Sequence, residues 1–189
     1  MTPLALLLAV ILTPPTLADG NGMERGGGDA YVQEFTSIAQ ELRTVIFRWA
    51  AEGVPEVAEI PLDPLRQAVD ETAVVSSDTC ILRGDEVDAI NYPSRRRIRI
   101  SRARWDVLNT LAETDAREAS QRKRSFVLHE YLGVINGFRA RGTPRVDDQR
   151  YQISGPILLR LQEQEDLASF RENLVRHLRT LGEATSDAL

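Results

Sequence analysis

The sequence predicts an α+β domain with a long N-terminal helix, a small central β-sheet, a central helix and further helices at the C-terminus. Three observations predict it. Apolar residues recur at 3-4 spacing over residues 32–49. Short apolar runs, one of them strictly alternating, fill residues 73–101. Helical periodicity then returns at about residue 105 and continues to about residue 181. A chain of 189 residues, 42% hydrophobic and 27% charged, suits one folded domain and excludes a disordered or collagen-like chain. The net charge of −5 argues against a general nucleic-acid binder, which needs a basic footprint.

Residues 1–18, MTPLALLLAVILTPPTLA, contain no charged side chain and hold an unbroken apolar run at 4–12. A helical span of the roughly 30 Å hydrocarbon layer takes about 20 residues, so this run is too short to cross it. Its length is that of the apolar region of a secretory signal peptide, although Met1-Thr2-Pro3 supplies no Lys or Arg. Pro14 and Pro15 break the run, and Thr16-Leu17-Ala18 offers a cleavage site. The expected address is therefore periplasmic or secreted, after cleavage near Ala18. No later stretch reaches 18 consecutive apolar residues, so no transmembrane segment is expected in the mature chain.

Residues 19–28, DGNGMERGGG, read as a flexible leader, and 29–182 as the single domain. Asp29 caps the first helix, whose stripe is Val32, Phe35, Ile38, Ala39, Leu42, Val45, Ile46 and Trp49, and Gly53 ends it. Asp63-Pro64 predicts a short second helix to about Val69, with Asp63 as its cap. Residues 73–75, 80–82 and 87–92 read as strands, with a turn at 83–86. Residues 96–101, RRIRIS, alternate Ile98 and Ile100 against Arg97 and Arg99: a strand with one buried and one charged face. A short helix is expected at 105–111, and a longer one at 115–136, closed by Gly137. A polar loop spans 139–150. Two final helices follow, at 155–163 and 166–181, with Gly182 as terminator and a polar tail at 183–189.

The central helix carries the one constellation with chemical content. Phe126, Val127, Leu128, Leu132, Val134 and Ile135 make it apolar on almost every side, yet His129 and Glu130 sit in its middle. Burying such groups is costly unless they find partners or a cleft. An apolar run into His-Glu, preceded by an alternating strand, resembles the active-site helix of zinc metallopeptidases of the zincin class. In that class His-Glu-x-x-His sets two imidazoles one turn apart on zinc, and the Glu is general base on the bound water. The resemblance implies His129 as a metal ligand and Glu130 as the catalytic base. Gly133 stands where the second His belongs, and a histidine there would complete the pair. Further ligands would have to come from His177, the only other histidine, or from Asp147 or Asp148. The chain also resembles small exported bacterial proteins of uncharacterised function that carry HEYLG followed by a YQIS-like segment, here Tyr151-Gln152-Ile153-Ser154.

Three readings of His129-Glu130 stand open: a structural pair within the core, a degenerate zincin-like cleft, or a metal hydrolase with an unusual ligand set. Arg97 and Arg99 are candidates for binding an anion. The alternative is an edge strand that charge protects from aggregation. Cys80, the sole cysteine, lies in an apolar context that predicts a buried inert thiol rather than a reactive or bridged one. Lys123 is the only lysine among 23 basic residues. The expected function is non-catalytic: an exported binding or structural protein of the envelope, with a degenerate zincin-like site and no cofactor. Its partner would be an anionic envelope component or another protein. The alternative is a zinc-dependent peptidase or related hydrolase.

Overall fold

The structure, a computed structural model, describes residues 29–186, with side chains through residue 179. The expected signal peptide and leader lie outside the described residues. Five helices and two small sheets alternate as expected for an α+β chain: α1 (Ala30–Ala51), α2 (Leu62–Glu71), β1 (Ala73–Ser77), β2 (Cys80–Leu82), β3 (Asp85–Val87), β4 (Ala89–Tyr92), β5 (Arg97–Ser101), α3 (Arg102–Thr114), α4 (Ala116–Val134) and α5 (Ser154–Ser186).

Asp29 caps α1, accepting the backbone N–H groups of Tyr31 and Val32. Its other carboxylate oxygen accepts from Ser76 of β1 and from Arg102 of α3, so one side chain starts a helix and ties it to two other elements. The stripe read from the sequence faces inward: Phe35, Ala39, Leu42, Ile46 and Trp49 are buried. Asp115 caps α4 through the Glu118 N–H, and Ser101 caps α3 through the Arg104 N–H. Pro61, not Asp63, precedes the second helix, which begins at Leu62; Asp63 sits in its first turn, where its charge suits the helix dipole.

The main sheet has the order β1-β5-β4, with β5 parallel to β1 and antiparallel to β4. Ile98 and Ile100 are fully buried, while Arg97 and Arg99 take the other face. Their strand is the middle one, so the edge-strand account of its charge is overturned. The predicted strand at 87–92 is two: Val87 pairs with Cys80 in a hairpin, and 89–92 joins the main sheet. Asp88 is the switch, its carbonyl accepting the Ser101 N–H.

Helix α4 is the hub. Its face carrying Val127, Leu128, Tyr131 and Leu132 packs into the core with α1 and the sheet, where Phe35 stacks on Tyr131 and meets Trp105 and Phe126 at 5.8 Å. Gly137 ends the following 3-10 turn (Ile135–Gly137) for a different reason from the one expected. It is not among the positive-φ residues; a Cβ there would lie 1.9 Å from the Pro93 carbonyl oxygen, so the residue permits close contact between two turns. The two predicted C-terminal helices are one, of 33 residues, and it runs past Gly182. No proline interrupts it after Pro156, and its acidic stretch is anchored to α4 by the pairs Glu165–Arg124 and Asp166–Arg117.

Candidate functional site

His129 and Glu130 lie on consecutive positions of α4 and are drawn into different networks. His129 Nδ1 is 3.0 Å from Asp148 Oδ2. Asp148 ends the irregular stretch after α4, at the N-terminus of α5, where backbone N–H groups have no helical acceptor. Its Oδ1 accepts from the N–H groups of Ile153 (2.8 Å) and Ser154 (2.9 Å), and its Oδ2 also accepts from the Ser154 hydroxyl at 2.6 Å. A carboxylate only 5% exposed thus has four hydrogen-bond partners.

The electrostatics follow from this geometry. Burial raises the Asp148 pKa, but the bonds from His129, Ser154 and Ile153 outweigh it and hold the carboxyl below its ordinary value. The same hydrogen bond to Asp148 raises the His129 pKa against the opposing effect of burial. A neutral His129 that donates Nδ1–H to Asp148 presents Nε2 as an acceptor; once protonated it presents a second donor.

The ring of Tyr151 lies over His129, with centroids 4.7 Å apart and planes tilted by 38°. Two successive non-glycine residues in the left-handed region bring it there, Arg150 at φ 56° and Tyr151 at φ 59°. Such conformations cost about 1–3 kcal/mol each and persist only where surrounding contacts enforce them. Tyr151 also forms a wall of a cleft of about 350 Å³, with Asp88, Arg104, Trp105, Ser125 and Phe126 among the other lining residues.

Glu130 makes its hydrogen bond to a different element. It is 6% exposed and accepts from Asn91 Nδ2 of β4 at 2.9 Å. Burial raises its pKa, and Asn91 and His129 offset that only in part. One turn later, a Cβ at Gly133 would lie 2.4 Å from the same Asn91 nitrogen. Position 133 therefore faces β4, and the small residue lets Asn91 reach Glu130. A histidine there would have to displace the Asn91 side chain before it could pair with His129.

His129 keeps Nε2 open while Nδ1 is bonded to Asp148, but no second ligand stands beside it: Glu130 is held by Asn91, and Asp147 turns its carboxylate to the N–H of Gln149. His177 is exposed on α5, 23 residues beyond Ser154 by the numbering, or about 35 Å along a helix. No group of three or more His, Cys, Asp or Glu side chains converges among the described residues. The buried Ser154 hydroxyl donates to Asp148.

Other arginines around β5 are engaged in ion pairs. Arg96 pairs with Glu71 and lies over the Phe138 ring, Arg102 pairs with Asp29 and Asp78, and Arg104 pairs with Glu86 and Asp88. Arg97 and Arg99 sit half-buried on the face of β5 opposite Ile98 and Ile100. Cys80 is buried and donates to the Arg99 carbonyl, with burial pushing its thiol pKa up, as an inert thiol requires.

Sequence reasoning named His129, Glu130 and Asp148, and quoted Tyr151 and Ser154 only as part of a resemblance. It missed Asn91, whose role depends on the approach of β4 to α4 and leaves no local signal. Comparison with known families, curated proteins and solved structures finds no match for this chain.

Proposed function

We propose that the protein is a non-catalytic binding protein of the cell envelope, exported by its N-terminal segment, in which a zincin-like helix serves as scaffold rather than metal site. One observation carries the reading: Asn91 occupies the space beside Gly133 and binds Glu130, so the place of the second histidine and the zincin glutamate are both taken up by packing. The cleft beside Tyr151 supplies a place for a ligand. An anionic envelope component or the acidic surface of a partner protein would stack on its aromatic walls and compete with Glu86, Asp88 and Glu118 for Arg104 and Arg122.

Zinc titration with a competing chelator tests this. Wild type and His129→Ala should both retain less than one zinc per chain after dialysis against the chelator. One tightly held zinc per wild-type chain, lost on His129→Ala, overturns the reading in favour of a metal-dependent hydrolase. That second reading has one specific support: a buried carboxylate on the Nδ1 of His129 is the arrangement that orients metal-ligating histidines. Export is tested separately by intact mass after production in an exporting host, where loss of residues 1–18 is expected.

A further inference from the structure

The C-terminal part of α5 leaves the body of the molecule. Leu161 is the last buried apolar side chain among the described residues, and every residue from 166 to 179 is exposed. Along that stretch Leu167, Phe170, Leu174 and Leu178 recur every three or four residues and are 45–63% exposed, forming one apolar stripe. The stretch extends about 20 Å, and a helical segment of that length is marginal in water by itself. A contiguous exposed stripe of this kind marks an association surface.

We propose that a second copy of the chain covers this stripe, the two α5 helices running antiparallel. The charge pattern selects both the occupant and the direction. Where α5 leaves the body it is acidic, with Glu163, Glu165 and Asp166; over 167–179 it is net basic, with Arg171, Arg176 and Arg179 against the single acid Glu172. A parallel pair sets the basic ends against each other. An antiparallel pair about a two-fold axis between Glu172 and Asn173 sets Leu167 on the second copy's Leu178, Phe170 on its Leu174 and Val175, and Asp166 near its Arg179. The apolar and charged patterns thus share one centre, which self-pairing requires and an unrelated partner does not. Asp166 also pairs with Arg117 of its own chain, and Arg176 with Glu172, so the charges along the contact are already held in place.

Light scattering after size exclusion, and sedimentation equilibrium over a dilution series, test the proposal on the purified protein. Wild type should be a dimer that dissociates on dilution. Phe170→Glu combined with Leu174→Glu should be monomeric at every concentration with an unchanged near-UV spectrum, because the body leaves both side chains exposed. Asp166→Arg and Arg179→Asp should each raise the dissociation constant about fivefold, since two symmetry-related pairs break together, and both changes in one chain should restore it. A wild type monomeric at the highest concentration overturns the proposal. So does a dimer that survives the double Glu variant, or reversal effects that add rather than cancel. Binding of monomeric wild type to anionic-lipid vesicles, lost in the double Glu variant, would assign the stripe to a membrane surface instead and also overturn it.

Discussion

Asp148 shows how much one buried carboxylate organises: it orients His129 and starts α5 with four hydrogen bonds. Asp148→Ala leaves a ring nitrogen, a hydroxyl and two backbone N–H groups without their acceptor. The expected loss is about 3 kcal/mol in urea denaturation, with Asp148→Asn losing less; a loss below about 0.5 kcal/mol would show that water replaces the network. The titrating groups act in different pH windows. The lowered Asp148 pKa contributes stability above its unfolded value near 3.8, lost as pH falls through the folded one. The raised His129 pKa contributes fully below 6.5 and is lost as pH rises through the folded value. Glu130 follows the sign of a raised group: its buried acid is favourable below 4.5 and turns costly as pH rises through the folded pKa. Glu130→Gln keeps an acceptor for Asn91 and removes that cost. Its melting temperature should match wild type at pH 4 and exceed it at pH 8, and equal values at both would remove Glu130 from the account of pH dependence.

Between elements, small residues decide what can touch. Alanine is the better helix former by about 1 kcal/mol, so propensity predicts that Gly133→Ala stabilises α4. The contact with β4 predicts the reverse. A Cβ 2.4 Å from the Asn91 amide displaces it and leaves Glu130 buried without its donor, an expected net loss of about 2 kcal/mol. Gly137→Ala should cost more, because its obstacle is the Pro93 backbone rather than a side chain. Thermal melting of the two variants ranks these effects, and a Gly133→Ala protein more stable than wild type would refute the packing argument. The start of α4 was legible because its cause at Asp115 is local; the reason for Gly133 and for Gly137 in the turn after it was not, because Asn91 and Pro93 lie on other segments.

Across the whole molecule, the single lysine joins three helices. Lys123 of α4 is buried, donates to Glu34 of α1 and to Asn109 of α3 at 2.6 Å each, and lies 5.3 Å from the Trp105 ring. Lys123→Met should cost about 2 kcal/mol in chemical denaturation, moderated by the partial exposure of Glu34. An unchanged midpoint would mean that packing alone holds the three helices. What the sequence by itself determined is whatever has a short-range cause: the α+β class, the stripe of α1, its cap Asp29, the start of α4 near Asp115, the alternation of β5, and the unusual His129-Glu130 pair. Only the tertiary structure decided that β5 is a central strand, that α5 continues unbroken, that Gly133 faces Asn91, and that His129 belongs with Asp148 while Glu130 does not. Periodicity and capping report on neighbours within a few residues, whereas each of these outcomes depends on which distant segment arrives at a given face.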